Sequence, residues 1–182
     1  MSKRALTQRA LRDRALHYLA RYAASRSRVE AVLTRRLAAA RAEGRAEVGP
    51  EDIPPLLDRL EALGLIDDRT YAETEARSLA RRGFSSQALA LQLGEQGLAR
   101  PLVDAAIREL EPGLDSDLVR GWRYARRRLG PYRSPDRRPE RRTRDLAALQ
   151  RRGFPLEVAL GIVDAEAPPQ QHVSEDDGLR FD

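Results

Sequence analysis

Apolar residues recur at spacings of three and four along most of this chain, which is the period of an amphipathic α-helix. Leu56, Leu60 and Leu63 form a clear stripe of this kind. Gly64 follows them at the position where a helix most easily ends in a left-handed residue. Similar stripes lie on both sides of this segment, bounded by glycine, proline, serine or aspartate. The pattern therefore predicts an all-α protein.

Two further helices are predicted in the stretch from 65 to 98. Leu65 and Ile66 are interpreted as a short apolar plug between helices. Asp67 or Asp68 is expected to accept hydrogen bonds from the free N–H groups of the next helix, where a negative charge is also favourable. The pattern is completed by two residues on that helix, its terminal glycine, two residues on the following helix and a second terminal glycine: Tyr71, Ala72, Gly83, Leu89, Leu93 and Gly97.

Helices are also predicted before and after this central stretch. The first is expected at about 7–24, and the second is expected to begin after Ser27, which has a capping-box spacing to Glu30. Downstream, Asp115 or Ser116 is expected to cap the first helix of another group. The chain thus contains three successive groups of helical stripes.

These groups predict three stacked three-helix units and a tail. The units are expected at 1–66, 67–111 and 112–167, and the acidic stretch 168–182 is expected to be disordered because it has few apolar residues. A unit of this size cannot hide its apolar face alone, so neighbouring units must pack against each other.

The net charge of +5 conceals two basic regions. Residues 1–45 contain 12 basic and 3 acidic residues, and residues 120–152 contain 13 basic and 3 acidic residues. Both units at the ends of the predicted fold are therefore candidates for binding an acidic partner. The candidate binding residues are Arg21, Arg26, Arg28, Arg35 and Arg36 in the first region and Arg120, Arg123, Arg127, Arg128, Arg141 and Arg144 in the second.

Three arginines of the second region make the partner hypothesis stronger. Arg120, Arg123 and Arg127 have the spacing of residues on one helical face, where like charges repel each other. A partner that neutralises them would relieve this repulsion. The alternative is a solvated helix face in a protein that uses arginine for almost all its basic residues.

The sequence gives no sign of an enzyme, a metal site or a cofactor site. It contains no cysteine, and His17 and His172 lie in no nucleophile or metal-ligand pattern. No third carboxylate or histidine lies at a metal-ligand spacing beside Asp67 and Asp68. No apolar run approaches the roughly 20 residues of a membrane span. A cytoplasmic protein without a membrane partner is therefore expected. A monomer is expected as well.

One long motif resembles a known family. The run GLIDDRTYAETEARSLARRGF, followed by Leu89 and Leu93 and by Gly97-Leu98, is similar to the RecX family of bacterial recombination regulators. The run ALHYLARYAASRSRVEAVLTRRL resembles the first two helices of that family, so the resemblance spans about 15–110. Ser85 stands where many members have a second glycine, while the apolar frame is kept.

The resemblance implies a function and a shape. RecX-like proteins are non-enzymatic regulators that bind the RecA recombinase filament on DNA and usually inhibit its ATPase and strand exchange. Their context is homologous recombination, DNA repair and the SOS response. They are built as tandem three-helix repeats in an elongated, curved rod. On this basis the basic first and third units are expected to contact the filament or its DNA.

Two alternatives remain open on the sequence alone. One is a general DNA-binding helical protein that acts through its arginine-rich first and third units. The other is a helical scaffold for a different acidic protein. Neither explains the Leu-Ile-Asp-Asp turn, which the family resemblance does.

Overall fold

The computed structural model describes residues 5–114 and 116–169, and these residues form an all-α fold, as predicted. Its helices are α1 (Gln8–Leu19), α2 (Arg26–Ala42), α3 (Ile53–Ala62), α4 (Asp68–Arg81), α5 (Ser86–Glu95), α6 (Arg100–Arg108), α7 (Asp117–Ala125), α8 (Arg138–Arg151) and α9 (Leu156–Val163). Single turns of 3-10 helix precede α3 and α8. Ser116 is the N-cap residue of α7, as one of the two predicted alternatives, but its side chain makes no capping hydrogen bond. Asp115 and residues 170–182 of the predicted tail lie outside the described residues.

The predicted terminal glycines end their helices in the left-handed conformation. Gly64, Gly83 and Gly97 have φ angles of 67°, 77° and 77°. Gly153, at the end of α8, has a φ of 83°. In each case the next residue donates its N–H to a carbonyl five residues earlier, as in a Schellman motif. One type of turn therefore ends four helices that pack in different parts of the chain.

Serine and aspartate residues begin three of the helices. Asp67 accepts a hydrogen bond from the Thr70 N–H at 3.0 Å and so caps α4. Ser85 caps α5 by accepting from the Ala88 N–H. The prediction that Ser27 caps α2 is wrong, because Ser25 occupies that position. The Ser25 hydroxyl also bonds a carbonyl outside its own helix, which sequence spacing cannot reveal.

Buried apolar side chains form three successive clusters. The first comes from α1–α3 and the loops around them, the second from α4–α6 together with Leu114, and the third from α7–α9. Of the predicted plug, Ile66 is 3% exposed and packs in the first cluster, whereas Leu65 is 47% exposed. Leu65 is therefore wrong as a plug residue, since only one of two adjacent side chains in this turn faces inward. No helix in the described ranges has both the length and the apolar character that a membrane crossing requires.

Gly153→Ala is expected to destabilise the protein more than Gly64→Ala. Both substitutions force alanine into a left-handed conformation, at a cost of about 1–2 kcal/mol. Only at Gly153 would the new Cβ also lie 2.5 Å from the Ser85 Oγ, whereas nothing lies within 4 Å of a Cβ at Gly64. Urea denaturation followed by circular dichroism measures the difference. Equal losses in the two variants would contradict the close approach at Gly153.

The stability of the protein is expected to fall as the pH drops below about 4. Hydrogen bonds from the Thr70 hydroxyl and N–H lower the pKa of Asp67, and a hydrogen bond from Arg142 lowers that of Asp164. A carboxyl group with a lowered folded-state pKa stabilises the fold above its unfolded pKa. That contribution is lost as the pH falls through the folded value.

Asp67→Asn is expected to make the melting temperature less sensitive to acid between pH 5 and pH 3. Asparagine can still cap α4 but does not titrate in this range. Thermal unfolding of both proteins at a series of pH values provides the test. Identical losses of melting temperature would show that Asp67 contributes nothing to the acid response.

Candidate interaction surface

The first and second clusters meet at the N-terminus of α2, which we call the first joint. The Asp68 carboxylate, from the first residue of α4, accepts a hydrogen bond from the Arg26 N–H at 2.7 Å. The Ser25 hydroxyl donates to the carbonyl of Gln96, the C-cap of α5. The N-terminus of α2 is thus bound by the N-terminus of α4 and by the C-terminus of α5.

The second and third clusters meet in a similar way at the N-terminus of α5, which we call the second joint. The Asp117 carboxylate, from the first residue of α7, accepts from the Ser86 N–H at 2.7 Å. The Ser85 N–H donates to the carbonyl of Arg152, the C-cap of α8. Asp68 and Asp117 therefore have equivalent positions, as do Ser25 and Ser85, and Gln96 and Arg152.

Arg120 lies inside the second joint, and its prediction as a partner-binding residue is wrong. Its side chain is 0% exposed. The guanidinium donates to the Leu114 carbonyl, the Ser86 hydroxyl and the Asp117 carboxylate. The aspartate three residues earlier was a signal for this pairing, because residues at this spacing are neighbours on a helix.

The predicted arginine face of α7 is also wrong. The helix ends at Ala125, so Arg127 lies in the turn that follows and does not share a helical face with Arg120 and Arg123. Arg123 is half-buried, whereas Arg127 and Arg128 are exposed. The turn is tight enough to place Arg128 in the left-handed region, with a φ of 73°.

Arg26 has carboxylate partners within the protein. It forms ion pairs with Asp58 at 2.7 Å and with Glu61 at 2.6 Å. The hydrogen bond to Asp58, followed by the interactions with Glu61, raises the pKa of its guanidinium. Arg26 therefore ties the start of α2 to α3, and much of its charge is neutralised there.

The remaining candidates lie on two parts of the surface. One group lies in the turn after α1 and along α2, and the other lies after α7 and on α8. Arg141 is half-buried and the others are exposed. Within 5–114 and 116–169, none of them forms an ion pair with a carboxylate: Arg21, Arg28, Arg35, Arg36, Arg127, Arg128, Arg141 and Arg144.

Sequence reasoning missed a stack of arginines and aromatic rings at the second joint. The Arg152 guanidinium carbon lies 4.2 Å from the centre of the Phe84 ring and 4.7 Å from that of Tyr124. Arg82 lies 5.3 Å from the Phe84 ring, and Arg127 lies 5.8 Å from the Tyr124 ring. We call these five residues the arginine ladder. The repeated tetrapeptide Arg-Arg-Gly-Phe at 81–84 and 151–154 was the available signal.

No cluster of three or more histidine, cysteine or acidic side chains suited to a metal ion occurs in the described ranges. The groups described above that could contact a partner are arginine N–H donors, aromatic rings and ion-paired side chains.

Comparisons with known proteins identify a consistent set of relatives. A regulatory protein RecX from Myxococcus xanthus is 35% identical over 159 residues, which cover 85% of this chain and 84% of that protein. A regulatory protein RecX from Pseudomonas putida is 33% identical over 149 residues, covering 82% and 86% of the two chains. One from Mycolicibacterium vanbaalenii is 33% identical over 145 residues, covering 72% and 78%.

The fold has a counterpart among solved structures. A crystal structure of regulatory protein RecX superposes with a TM-score of 0.61 at 22% identity, over 86% of this chain and 70% of that chain. This similarity shows a shared fold. A search against protein-family models gave no match.

Asp117→Asn is expected to destabilise the protein far more than Asp68→Asn. The first substitution leaves the buried guanidinium of Arg120 without a counter-charge, which typically costs about 3–5 kcal/mol. The residue of the first joint equivalent to Arg120 is Tyr71, so Asp68→Asn affects only a hydrogen bond, worth about 1 kcal/mol. Chemical denaturation of the two variants measures both losses. Similar losses at the two joints would contradict the structural role of Arg120.

Proposed function

This chain belongs to the RecX family of regulatory proteins, and from that membership we propose that it regulates the RecA recombinase. On this proposal it binds the recombinase filament on DNA and inhibits ATP hydrolysis and strand exchange, without catalysing a reaction itself. The observation that carries the proposal is the 35% identity to a regulatory protein RecX over 85% of the chain. Its role would lie in homologous recombination, DNA repair and the SOS response, in the cytoplasm.

The arrangement of clusters supports a contact with more than one filament subunit. We propose that the chain acts as a monomer made of three stacked units, 1–66, 67–111 and 112–167, in an elongated, curved rod. The repeated joints would hold the units in one body. Two weak contacts on one body raise the apparent affinity, because the second contact forms at a high effective concentration.

The arginines that form no ion pair within the described residues, all exposed except the half-buried Arg141, supply two suitable contact surfaces at opposite ends of the chain. Arg28, Arg35 and Arg36 on α2 belong to the first cluster's helices, and Arg141 and Arg144 on α8 belong to the third. The stretch 67–111 between them contains 6 basic and 8 acidic residues, so the basic surfaces are separated along the chain. A body bound at both ends would obstruct incoming DNA or the subunit movements coupled to ATP hydrolysis.

General DNA binding is the second candidate function. It is favoured by the exposed arginines that have no carboxylate partner within the described residues. This candidate requires binding to DNA in the absence of any recombinase, with an affinity that falls steeply as salt increases, because each neutralised phosphate releases a counterion.

The protein is expected to inhibit DNA-dependent ATP hydrolysis by the RecA recombinase when it is present at fewer copies than recombinase subunits. A regulator that bridges subunits can act at this ratio, whereas masking of DNA requires enough protein to cover it. The rate of phosphate release from ATP, measured while the protein is titrated into the recombinase reaction, tests this expectation. Unchanged ATP hydrolysis at every ratio would contradict the proposal.

A pair of charge-reversed variants locates the contact. Arg35→Glu with Arg36→Glu, and separately Arg141→Glu with Arg144→Glu, are each expected to weaken inhibition at least tenfold. The matched control is Arg59→Glu with Arg77→Glu, two exposed arginines outside both surfaces. Equal effects of all three variants would indicate a response to net charge alone.

A further inference from the structure

The arginine ladder connects two of the three clusters. Arg82 and Phe84 lie in the turn between α4 and α5. Tyr124 lies in the last turn of α7, Arg127 lies in the turn that follows that helix, and Arg152 is the C-cap of α8. Arg152 contacts both rings and also donates a hydrogen bond to the Arg82 carbonyl at 3.2 Å. The ladder therefore runs across the second joint from one cluster to the next.

The first joint shows that the fold does not require this ladder. Each joint combines a serine, an aspartate and a helix C-cap carbonyl at equivalent positions, although Ser25 donates its hydroxyl to the carbonyl whereas Ser85 donates its backbone N–H. At the first joint, however, the positions equivalent to the five ladder residues carry no arginine; they are Tyr22, Ala24, Glu75, Ser78 and Gln96. Since an equivalent joint forms from such residues, the three ladder arginines need another explanation.

The ladder concentrates positive charge without a counter-charge. In the described part of the chain, Arg82, Arg127 and Arg152 form no ion pair with a carboxylate, and Arg82 and Arg127 are exposed. Contacts with the rings compensate for part of the repulsion between neighbouring guanidiniums. An anionic ligand would neutralise the charge that remains.

The position of these arginines over the rings also prepares them to bind oxygen atoms. A guanidinium has five N–H donors in its plane, so contact between its face and a ring leaves most of these donors available. A side chain held against a ring also loses less conformational freedom when it binds. Each ring already contacts two guanidiniums, which leaves little ring surface for a nucleobase. The arrangement suits phosphate groups and not base stacking.

We propose that the arginine ladder binds the phosphate backbone of DNA, across the second joint and independently of base sequence. This site goes beyond the proposed regulatory function, which assigns no DNA contact to Arg82 or Arg152. The site is also testable in the absence of recombinase.

The main test uses a triple variant, Arg82→Gln with Arg127→Gln and Arg152→Gln, and a fluorescein-labelled oligothymidine strand. Fluorescence anisotropy at several salt concentrations measures affinity and its salt dependence. The variant is expected to bind at least tenfold more weakly at low salt. Each lost phosphate contact should make the plot of log affinity against log salt shallower by about 0.7, so three contacts amount to about 2.

A matched triple variant tests whether position matters. Arg59→Gln with Arg77→Gln and Arg108→Gln removes the same charge from exposed arginines outside the ladder. It is expected to keep the slope of the unsubstituted protein. Equal slopes for the two triple variants would overturn the proposal.

Two milder variants keep the test valid if the triple variant unfolds. Arg82→Gln alone removes an exposed side chain, and the slope is expected to become shallower by about 0.7. Arg152→Lys keeps the positive charge but removes the planar guanidinium, which contacts the rings and presents paired N–H donors. The affinity for the labelled strand is expected to fall about threefold to tenfold. Full affinity and slope in both variants would overturn the ladder as a phosphate site.

The recombinase assay separates this site from the regulatory function. Ladder-dependent DNA binding without any effect of the unsubstituted protein on ATP hydrolysis would support the phosphate site and contradict the regulatory proposal. A triple variant that keeps its DNA affinity but no longer inhibits the recombinase would overturn the phosphate site. It would assign the ladder to an acidic protein surface.

Discussion

A carboxylate bound to the N-terminus of a neighbouring helix is the contact on which the arrangement of this protein depends. Asp68 holds the first N–H of α2, and Asp117 holds the first N–H of α5. Helix N-termini carry free donors and a partial positive charge, so each contact satisfies a donor and places an acidic group favourably. The three apolar clusters are separate, and these joints connect each cluster to the next through hydrogen bonds at helix ends.

The two joints share a backbone arrangement but differ in their side chains. The first joint has Tyr71 where the second has the buried Arg120, and Gln96 where the second has Arg152. The second joint therefore contains an ion pair in its interior and cationic groups on its surface. The features common to both joints are the ones that packing requires, and the cationic side chains found only at the second joint remain available for a partner. The first joint therefore serves as a reference for the second joint within the same protein.

Arginine content alone overstates the surface available for binding. Arg120 is buried, and Arg26 bridges α2 to α3. Arg133 donates two hydrogen bonds to the buried Asp145, which raise the pKa of that guanidinium and satisfy a carboxylate in the third cluster. Arg142 pairs with Asp164 in a similar way. Among the residues that the structure describes, the arginines without such internal contacts are therefore the ones best placed to meet an acidic partner.

The sequence by itself determined the all-α class, the glycine-terminated helix ends and the resemblance to the RecX family. These features depend on helical periodicity and on the φ preference of glycine, which act over a few residues, and on a continuous motif. Only the tertiary structure decided that Ser25 and not Ser27 caps α2, that Arg120 is buried, and that Arg82 and Arg152 meet around aromatic rings. The distant contacts of these residues join positions about 30 to 70 apart: Ser25 with Gln96, Arg120 with Ser86, and Arg152 with Arg82. The local signals, such as the spacing of Asp117 and Arg120, do not identify those distant partners.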